Sequence, residues 1–258
     1  MVKTILITGA TSGIGKATAR HFASTQLYQL ILCGRRMDRL TQLKQELEDQ
    51  YHIPILLLNF DIRQFEACSQ AIASIPSPFD NIDILINNAG LALGLDSIQD
   101  GNITHWDTMI DTNVKGLLYM TKLISKKMVK SQSGHIINIC STAGKEVYPK
   151  GNVYCATKFA VDTLTKAIRQ DLYTHNIRVS QVSPGHVEET EFAINRFEGD
   201  KNKAAIYNDF IPLKAADVAA SIYFIASQPA HINIQDIVMM STQQGSATLV
   251  NRNGRNDQ

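Results

Sequence analysis

The sequence is poor in the features of a disulfide scaffold, a metal protein, a membrane span or a polyanion binder. Its four cysteines, Cys33, Cys68, Cys140 and Cys155, are far apart, with no Cys-x-x-Cys pair and no histidine at zinc spacing. They read as free, mostly buried thiols, which suits a reducing cytosol. The histidines, His21, His52, His105, His135, His175, His186 and His231, are scattered without ligand spacing, so no metal is expected. No apolar run approaches the roughly 18 residues that span a bilayer. No signal peptide is visible, because residues 1–8 form a strand-like run with one lysine that leads into a glycine-rich turn. The formal net charge is +1, so no overall field points to nucleic acid or to an anionic membrane. A cytoplasmic protein with a small-molecule partner is the expectation. No Pro-, Gly- or Ser-rich linker and no repeat divides the 258 residues. One domain is expected over 1–245, with 246–258 as a polar tail that frays at its end.

What is present is a regular alternation. Strand-like runs fall at 2–8, 30–33, 55–60, 82–86, 135–140, 178–182 and 236–240. Helical spacing falls between them at 13–24, 38–50, 64–74, 106–130, 153–175 and 215–227. Continuous apolar strands are buried on both faces, which predicts a parallel sheet covered by helices. Right-handed crossovers then give a doubly wound α/β fold. The one long irregular stretch, 184–214, is polar and mixed in charge, as a lid or binding loop would be.

Three local patterns carry chemistry. Thr8-Gly9-Ala10-Thr11-Ser12-Gly13-Ile14-Gly15 joins the first strand to the first helix. Its glycines permit a tight turn, and the helix start offers free N–H groups to a pyrophosphate. At the end of the second strand, Cys33-Gly34-Arg35-Arg36 has guanidinium groups where an NAD site has a carboxylate. Arginine forks suit a 2′-phosphate, so NADP(H) is expected. Tyr154 and Lys158 are four residues apart in a helical segment, with Ser141 thirteen residues upstream of Tyr154. An ammonium beside a phenol lowers its pKa and fits it for proton exchange. Alone, Tyr-x-x-x-Lys is also an ordinary helix face.

Taken together, Thr8–Gly15, Asp61, Asn87-Asn88-Ala89-Gly90, Asn113, Ser141, Tyr154-x-x-x-Lys158 and Pro184-Gly185 resemble the short-chain dehydrogenase/reductase family. The resemblance implies a single-domain Rossmann-type fold with a seven-stranded parallel sheet and helices on both faces. It implies catalytic Asn113, Ser141, Tyr154 and Lys158, with Asn113 holding a water that relays protons to Lys158. Cofactor contacts would come from Gly9, Thr11, Ser12, Gly13, Ile14, Gly15, Arg35, Arg36, Asp61, Ile62, Asn88, Tyr154, Lys158, Pro184, Gly185, Val187 and Thr190. Asp61 would meet the adenine amino group, Asn88 the ribose, and Asn87 would brace the sheet. Ser141 and Tyr154 would hydrogen-bond the reacting oxygen.

The stretches 87–94, 184–192, 196–200 and 229–234 resemble one subgroup, NADP-dependent dehydrogenases of 3-hydroxy acids such as L-serine, L-allo-threonine and 3-hydroxypropanoate, with reductases of malonic semialdehyde. Members are typically homotetramers. A substrate carboxylate calls for a cation. Lys145 and Arg196 are the candidates, with His186 weaker, and a solvated surface charge competes with each. A carbonyl or 3-oxoacyl reductase on the same machinery, or a non-catalytic NADPH-binding regulator, are the alternatives.

Overall fold

The computed structural model describes residues 2–255, so the last three residues of the expected tail lie outside the described residues. The order is β1 (Lys3–Thr8), α1 (Gly13–Ser24), β2 (Tyr28–Gly34), α2 (Met37–Tyr51), β3 (Ile55–Asn59), α3 (Phe65–Ala73), β4 (Ile84–Asn87), α4 (Ile103–Ile110), α5 (Leu117–Ser131), β5 (Gly134–Ile139), α6 (Asn152–Leu172) and β6 (Ile177–Pro184). Then follow β7 (Val187–Glu188), α7 (Phe192–Arg196), α8 (Lys201–Ala204), β8 (Leu213–Lys214), α9 (Ala215–Ala226) and β9 (Asp236–Met239). Seven strands form one parallel sheet in the order β3-β2-β1-β4-β5-β6-β9.

The period-2 alternation of a strand distributes its apolar residues to two cores. Ile5 and Ile7 of β1 face one side, with Phe22 of α1, Leu40 of α2 and Ile222 of α9. Leu6 faces the other, with Cys68 of α3, Met120 and Ile124 of α5 and Val161 of α6. Each such side chain buried is worth about 1.5–3 kcal/mol of transfer free energy, so the continuous apolar runs fix the sheet as a middle layer. The chain enters at β1, builds outward to β3, then crosses back to place β4 on the other side of β1. That reversal opens a crevice beyond the carboxyl ends of β1 and β4.

The sequence differs from this in three places. The expected helix 106–130 is interrupted by a π-helical turn at Asp111–Gly116. The side-chain amide of Asn113 donates to the Leu91 carbonyl at 2.9 Å and accepts from the Leu91 N–H at 2.9 Å, pinning one residue of the turn to the loop after β4. A wide turn absorbs that register change. The stretch 184–214 is partly ordered by the short β7–β8 pair and by α7 and α8. The described part of the tail is tied down. Arg252 Nη1 donates to Asp209 Oδ1 at 2.6 Å, the Gly254 N–H to the Asp209 carbonyl at 3.0 Å, and Arg255 forks onto Glu188 at 2.7 and 2.8 Å.

Candidate active site

The turn after β1 is built on backbone conformations that side chains resist. Gly9 and Gly13 have φ of +67° and +51°. A Cβ on Gly15 would fall 2.4 Å from the Gly9 carbonyl oxygen, so this glycine lets α1 start tightly behind the turn. Asn88, at the end of β4, donates its amide to the carbonyls of Thr8 and Gly9 at 2.9 and 3.2 Å. The Thr8 hydroxyl accepts from the N–H groups of Asn88 and Ala89, both at 3.0 Å. The two strand ends are thereby sewn together. Ser12 precedes α1 without capping it, which leaves the helix-start amides free for a phosphate. Asn87 braces the sheet, donating to Thr121 Oγ1 and Asn138 Oδ1 at 3.0 and 2.9 Å.

Arg35 and Arg36 lie at the mouth of this turn, and Arg39, in the first turn of α2, joins them. Arg36 donates to the hydroxyls of Thr11 and Ser12 at 2.7 and 3.0 Å and to Glu191 of the lid at 2.7 Å; Arg39 also bonds Glu191. Asp61 is more engaged than expected. Arg63 grips both its carboxylate oxygens at 2.6–3.0 Å, and Arg35 stands 3.9 Å away. Burial pushes the Asp61 carboxyl up, but the bonds from Arg63 outweigh it and hold it below its usual range.

Ser141 follows β5 by two residues, in extended backbone. Its hydroxyl accepts from the Ala143 N–H at 3.1 Å and donates to the Pro184 carbonyl at 3.3 Å. Tyr154 and Lys158 share one face of α6, and both are buried. Lys158 Nζ donates to the Ile139 carbonyl at 2.9 Å and lies 5.9 Å from the Tyr154 ring centre. Gly144 lets the turn after β5 pack against the backbone of α6, since a Cβ there would fall 2.7 Å from the Lys158 carbonyl oxygen. A Cβ on Gly90 would lie 3.3 Å from Asn113 Oδ1 and 3.6 Å from Lys158 Nζ, so Gly90 sits close beside both groups. Asn113 spends both amide hydrogens, on the Leu91 carbonyl and on Thr157 Oγ1 at 3.0 Å, and its Oδ1 accepts from the Leu91 N–H.

The electrostatics modify the simple picture of a lysine lowering a phenol. Burial raises the Tyr154 pKa above its ordinary value, with Tyr148 adding to the rise. Arg196 and the Ser141 hydroxyl pull it down, without overcoming burial. Burial lowers the Lys158 pKa. The phenol is therefore set to keep its proton at neutral pH.

The turn after β1, Arg35, Arg36, Asp61, Asn88, Ser141, Tyr154 and Lys158 line one cavity of about 900 Å³, whereas the Asn113 side chain lies behind its wall. Of the expected cofactor residues, Gly9, Thr11, Ser12, Gly13, Ile14, Arg35, Arg36, Asp61, Ile62, Asn88, Pro184, Gly185, Val187 and Thr190 line it with Tyr154 and Lys158. Gly15 packs behind the turn. An elongated dinucleotide fits this cradle: free amides at the turn, arginines at one end and a tyrosine and lysine at the other.

The two carboxylate clamps expected from the sequence separate. Lys145 is corrected: it is bonded to Asp162 and, at 2.6 Å, to Asp236, away from the cavity lining. Two carboxylates 17 and 91 residues away in the chain neutralise it. Arg196 lies in the cavity wall and is 8% exposed. Its guanidinium stacks 5.2, 5.3 and 5.5 Å from the ring centres of Tyr154, Phe192 and Tyr148, and it donates to the Tyr148 hydroxyl. Its Nε has no partner, and no carboxylate pairs with it among the described residues. A buried charge without a counter-charge is costly, and among the described residues this one is met only by aromatic faces and the Tyr148 hydroxyl. His186 also lines the cavity, but burial and nearby Arg252 and Arg196 hold its pKa down to about 4, so it is neutral there.

The sequence missed Arg39 and Tyr148, and it placed Glu191 and Phe192 in the 184–192 stretch without giving either a role. Arg39 carried a signal, being three residues beyond Arg36 on one helix face. Tyr148 reaches the site through tertiary contacts with no local pattern.

Residues 3–201 match the family model for the short chain dehydrogenase. The chain belongs to the short chain dehydrogenase family. It is 44% identical over 246 residues to the NADP-dependent 3-hydroxy acid dehydrogenase YdfG of Escherichia coli (strain K12), covering 95% of this chain and 97% of that one. It is 42% identical over 251 residues to sulfoacetaldehyde reductase 2 of Chromohalobacter salexigens, covering 96% and 98%. Among solved structures, the closed form of a serine dehydrogenase complexed with NADP+ superposes with a TM-score of 0.90 at 42% identity, over 95% and 98% of the two chains.

Proposed function

We propose that this enzyme is an NADP(H)-dependent oxidoreductase that interconverts short 3-hydroxy acids and their 3-oxo acids or semialdehydes. L-Serine, L-allo-threonine and 3-hydroxypropanoate are the candidate substrates. The observation that carries the proposal is the buried, unpaired guanidinium of Arg196 beside Tyr154. It would fork onto the substrate carboxylate and hold the β-carbon oxygen at Tyr154 and Ser141. The catalytic domain is taken as 1–245, with the lid at 184–214.

Arg35, Arg36 and Arg39 would hold the 2′-phosphate, the turn after β1 the pyrophosphate, and Pro184, Gly185, Val187 and Thr190 the nicotinamide end. The bound nicotinamide supplies the hydride donor or acceptor. In the reducing direction, Tyr154 gives its proton to the developing alkoxide while the Ser141 hydroxyl stabilises the charge. Lys158 offsets the phenolate left behind, and the π-helical turn around Asn113 leads protons toward it. In the oxidising direction the proton runs back to Tyr154.

A 3-oxoacyl or general carbonyl reductase would gain nothing from a buried unpaired cation at this place. A sulfonate offers Arg196 the same single charge as a carboxylate, spread over three tetrahedral oxygens instead of two planar ones, and one relative 42% identical is a sulfoacetaldehyde reductase. The same reading takes the protein as a cytoplasmic homotetramer. Leu118 of α5, Phe159 of α6 and Val238 of the edge strand β9 are exposed apolar residues that other copies would cover. A substrate panel tests the proposal. The three hydroxy acids with NADP and malonic semialdehyde with NADPH should turn over, and 3-oxoacyl thioesters should not. The opposite pattern favours an acyl reductase, and NADPH binding without turnover of any compound favours a regulator.

A further inference from the structure

Glu191 has no role in the reaction just described, yet it sits at the phosphate end of the cavity. It precedes α7 in the lid and reaches back across more than 150 residues of chain to Arg36 and Arg39. Every nitrogen of Arg36 is then engaged. Nε and Nη2 donate to the hydroxyls of Thr11 and Ser12, and Nη1 donates to Glu191 Oε2 at 2.7 Å. Arg39 gives its Nη1 to the other Glu191 oxygen. Burial pushes the Glu191 carboxyl up, but its bonds to Arg39 and Arg36 prevail and keep it ionised. Of the three arginines at this end, Arg35 alone is clear of the lid, with a side chain 59% exposed and Asp61 3.9 Å away.

We infer that Glu191 is a specificity-determining residue: it occupies the guanidinium positions that a 2′-phosphate would take, and so limits the enzyme's preference for NADP(H) over NAD(H). The inference rests on the cofactor reading above. A phosphate entering between Arg36 and Arg39 must displace the carboxylate or lie beside it. Displacement gives up two charge-assisted bonds, and co-residence sets like charges together. A cofactor without the phosphate leaves the pairing intact.

Isothermal titration of the cofactor-free enzyme at low salt tests this directly, using 2′,5′-ADP against ADP, and NADPH against NADH. Wild type should bind the 2′-phosphorylated member of each pair more tightly. Glu191→Gln should tighten 2′,5′-ADP and NADPH by roughly twofold to fivefold, the scale of one half-exposed ion pair, with ADP and NADH unchanged. Unchanged or weaker 2′,5′-ADP binding in the variant, with the wild-type preference intact, overturns the role of Glu191 alone. Loss of ADP binding as well makes Glu191 a structural support and also overturns it. A wild type that does not distinguish 2′,5′-ADP from ADP removes the cofactor reading and this inference with it.

Discussion

Replacing Arg196 with methionine keeps the length of an apolar stem and removes the charge. Arg196 is 8% exposed, its guanidinium stacks against three rings, and it has no carboxylate partner among the described residues, so a bound substrate anion would supply its counter-charge. Leaving one partner of a buried charge pair alone costs about 3–5 kcal/mol. At about 1.4 kcal/mol per decade, kcat/KM for 3-hydroxypropanoate should fall by roughly two to three orders of magnitude. Lost cation–π stacking, about 1–2 kcal/mol at a desolvated site, would act on any substrate. The methyl ester of 3-hydroxypropanoate separates the two effects, because it lacks the anion. Initial rates of NADP reduction on the ester should drop only by roughly fivefold to thirtyfold. Arg196→Lys should lie between, since it keeps the charge and loses the fork. Equal losses on acid and ester, or an unchanged KM for the acid, would refute the assigned role.

Three further outcomes are expected. Arg35→Asp with Arg36→Ala should raise the Kd of NADPH far more than that of NADH, and equal losses would remove the 2′-phosphate assignment. Because burial raises the Tyr154 pKa, the protonated phenol persists through neutral pH. Reduction rates should therefore be flat there and fall only in alkali, while oxidation rates should climb as pH rises; matching profiles in the two directions would contradict this. Asp162 is held down to about 2, burial being outweighed by bonds from Lys145, Lys166 and Gln181. A depressed carboxyl stabilises the fold above its unfolded pKa and loses that contribution as pH falls toward 2. About 2 kcal/mol should disappear between roughly pH 4 and pH 2. Denaturant melts of Asp162→Asn should show a smaller acid dependence than wild type.

The layers of this fold were legible because each strand is a short apolar run bounded by turn residues, and each helix keeps its 3.6-residue spacing. The turn after β1 and the Tyr154–Lys158 pair were legible because both depend on local spacing. What escaped depended on partners distant in the chain. Nothing in residues 106–130 announces that the Asn113 amide will be claimed by the Leu91 backbone, so the π-helical turn was unforeseen. Lys145 and Arg196 looked alike as loop cations. Asp162 and Asp236 quench the first, whereas Tyr148, Tyr154 and Phe192 enclose the second without neutralising it. The tail looked polar enough to fray, but Arg252 and Arg255 found Asp209 and Glu188. Charge composition gives the sign of a side chain, and tertiary neighbours decide whether that charge is spent or available.

Reduction of malonic semialdehyde by Tyr154→Phe, with NADPH affinity measured on the same preparation, bears most directly on the proposed chemistry. Phenylalanine keeps the ring against Phe192 and removes only the hydroxyl. The NADPH Kd should stay near wild type while kcat falls by about two to four orders of magnitude, the usual share of a positioned general acid. A variant that binds NADPH normally and turns over at a rate close to wild type would contradict the assignment of Tyr154 as the proton donor.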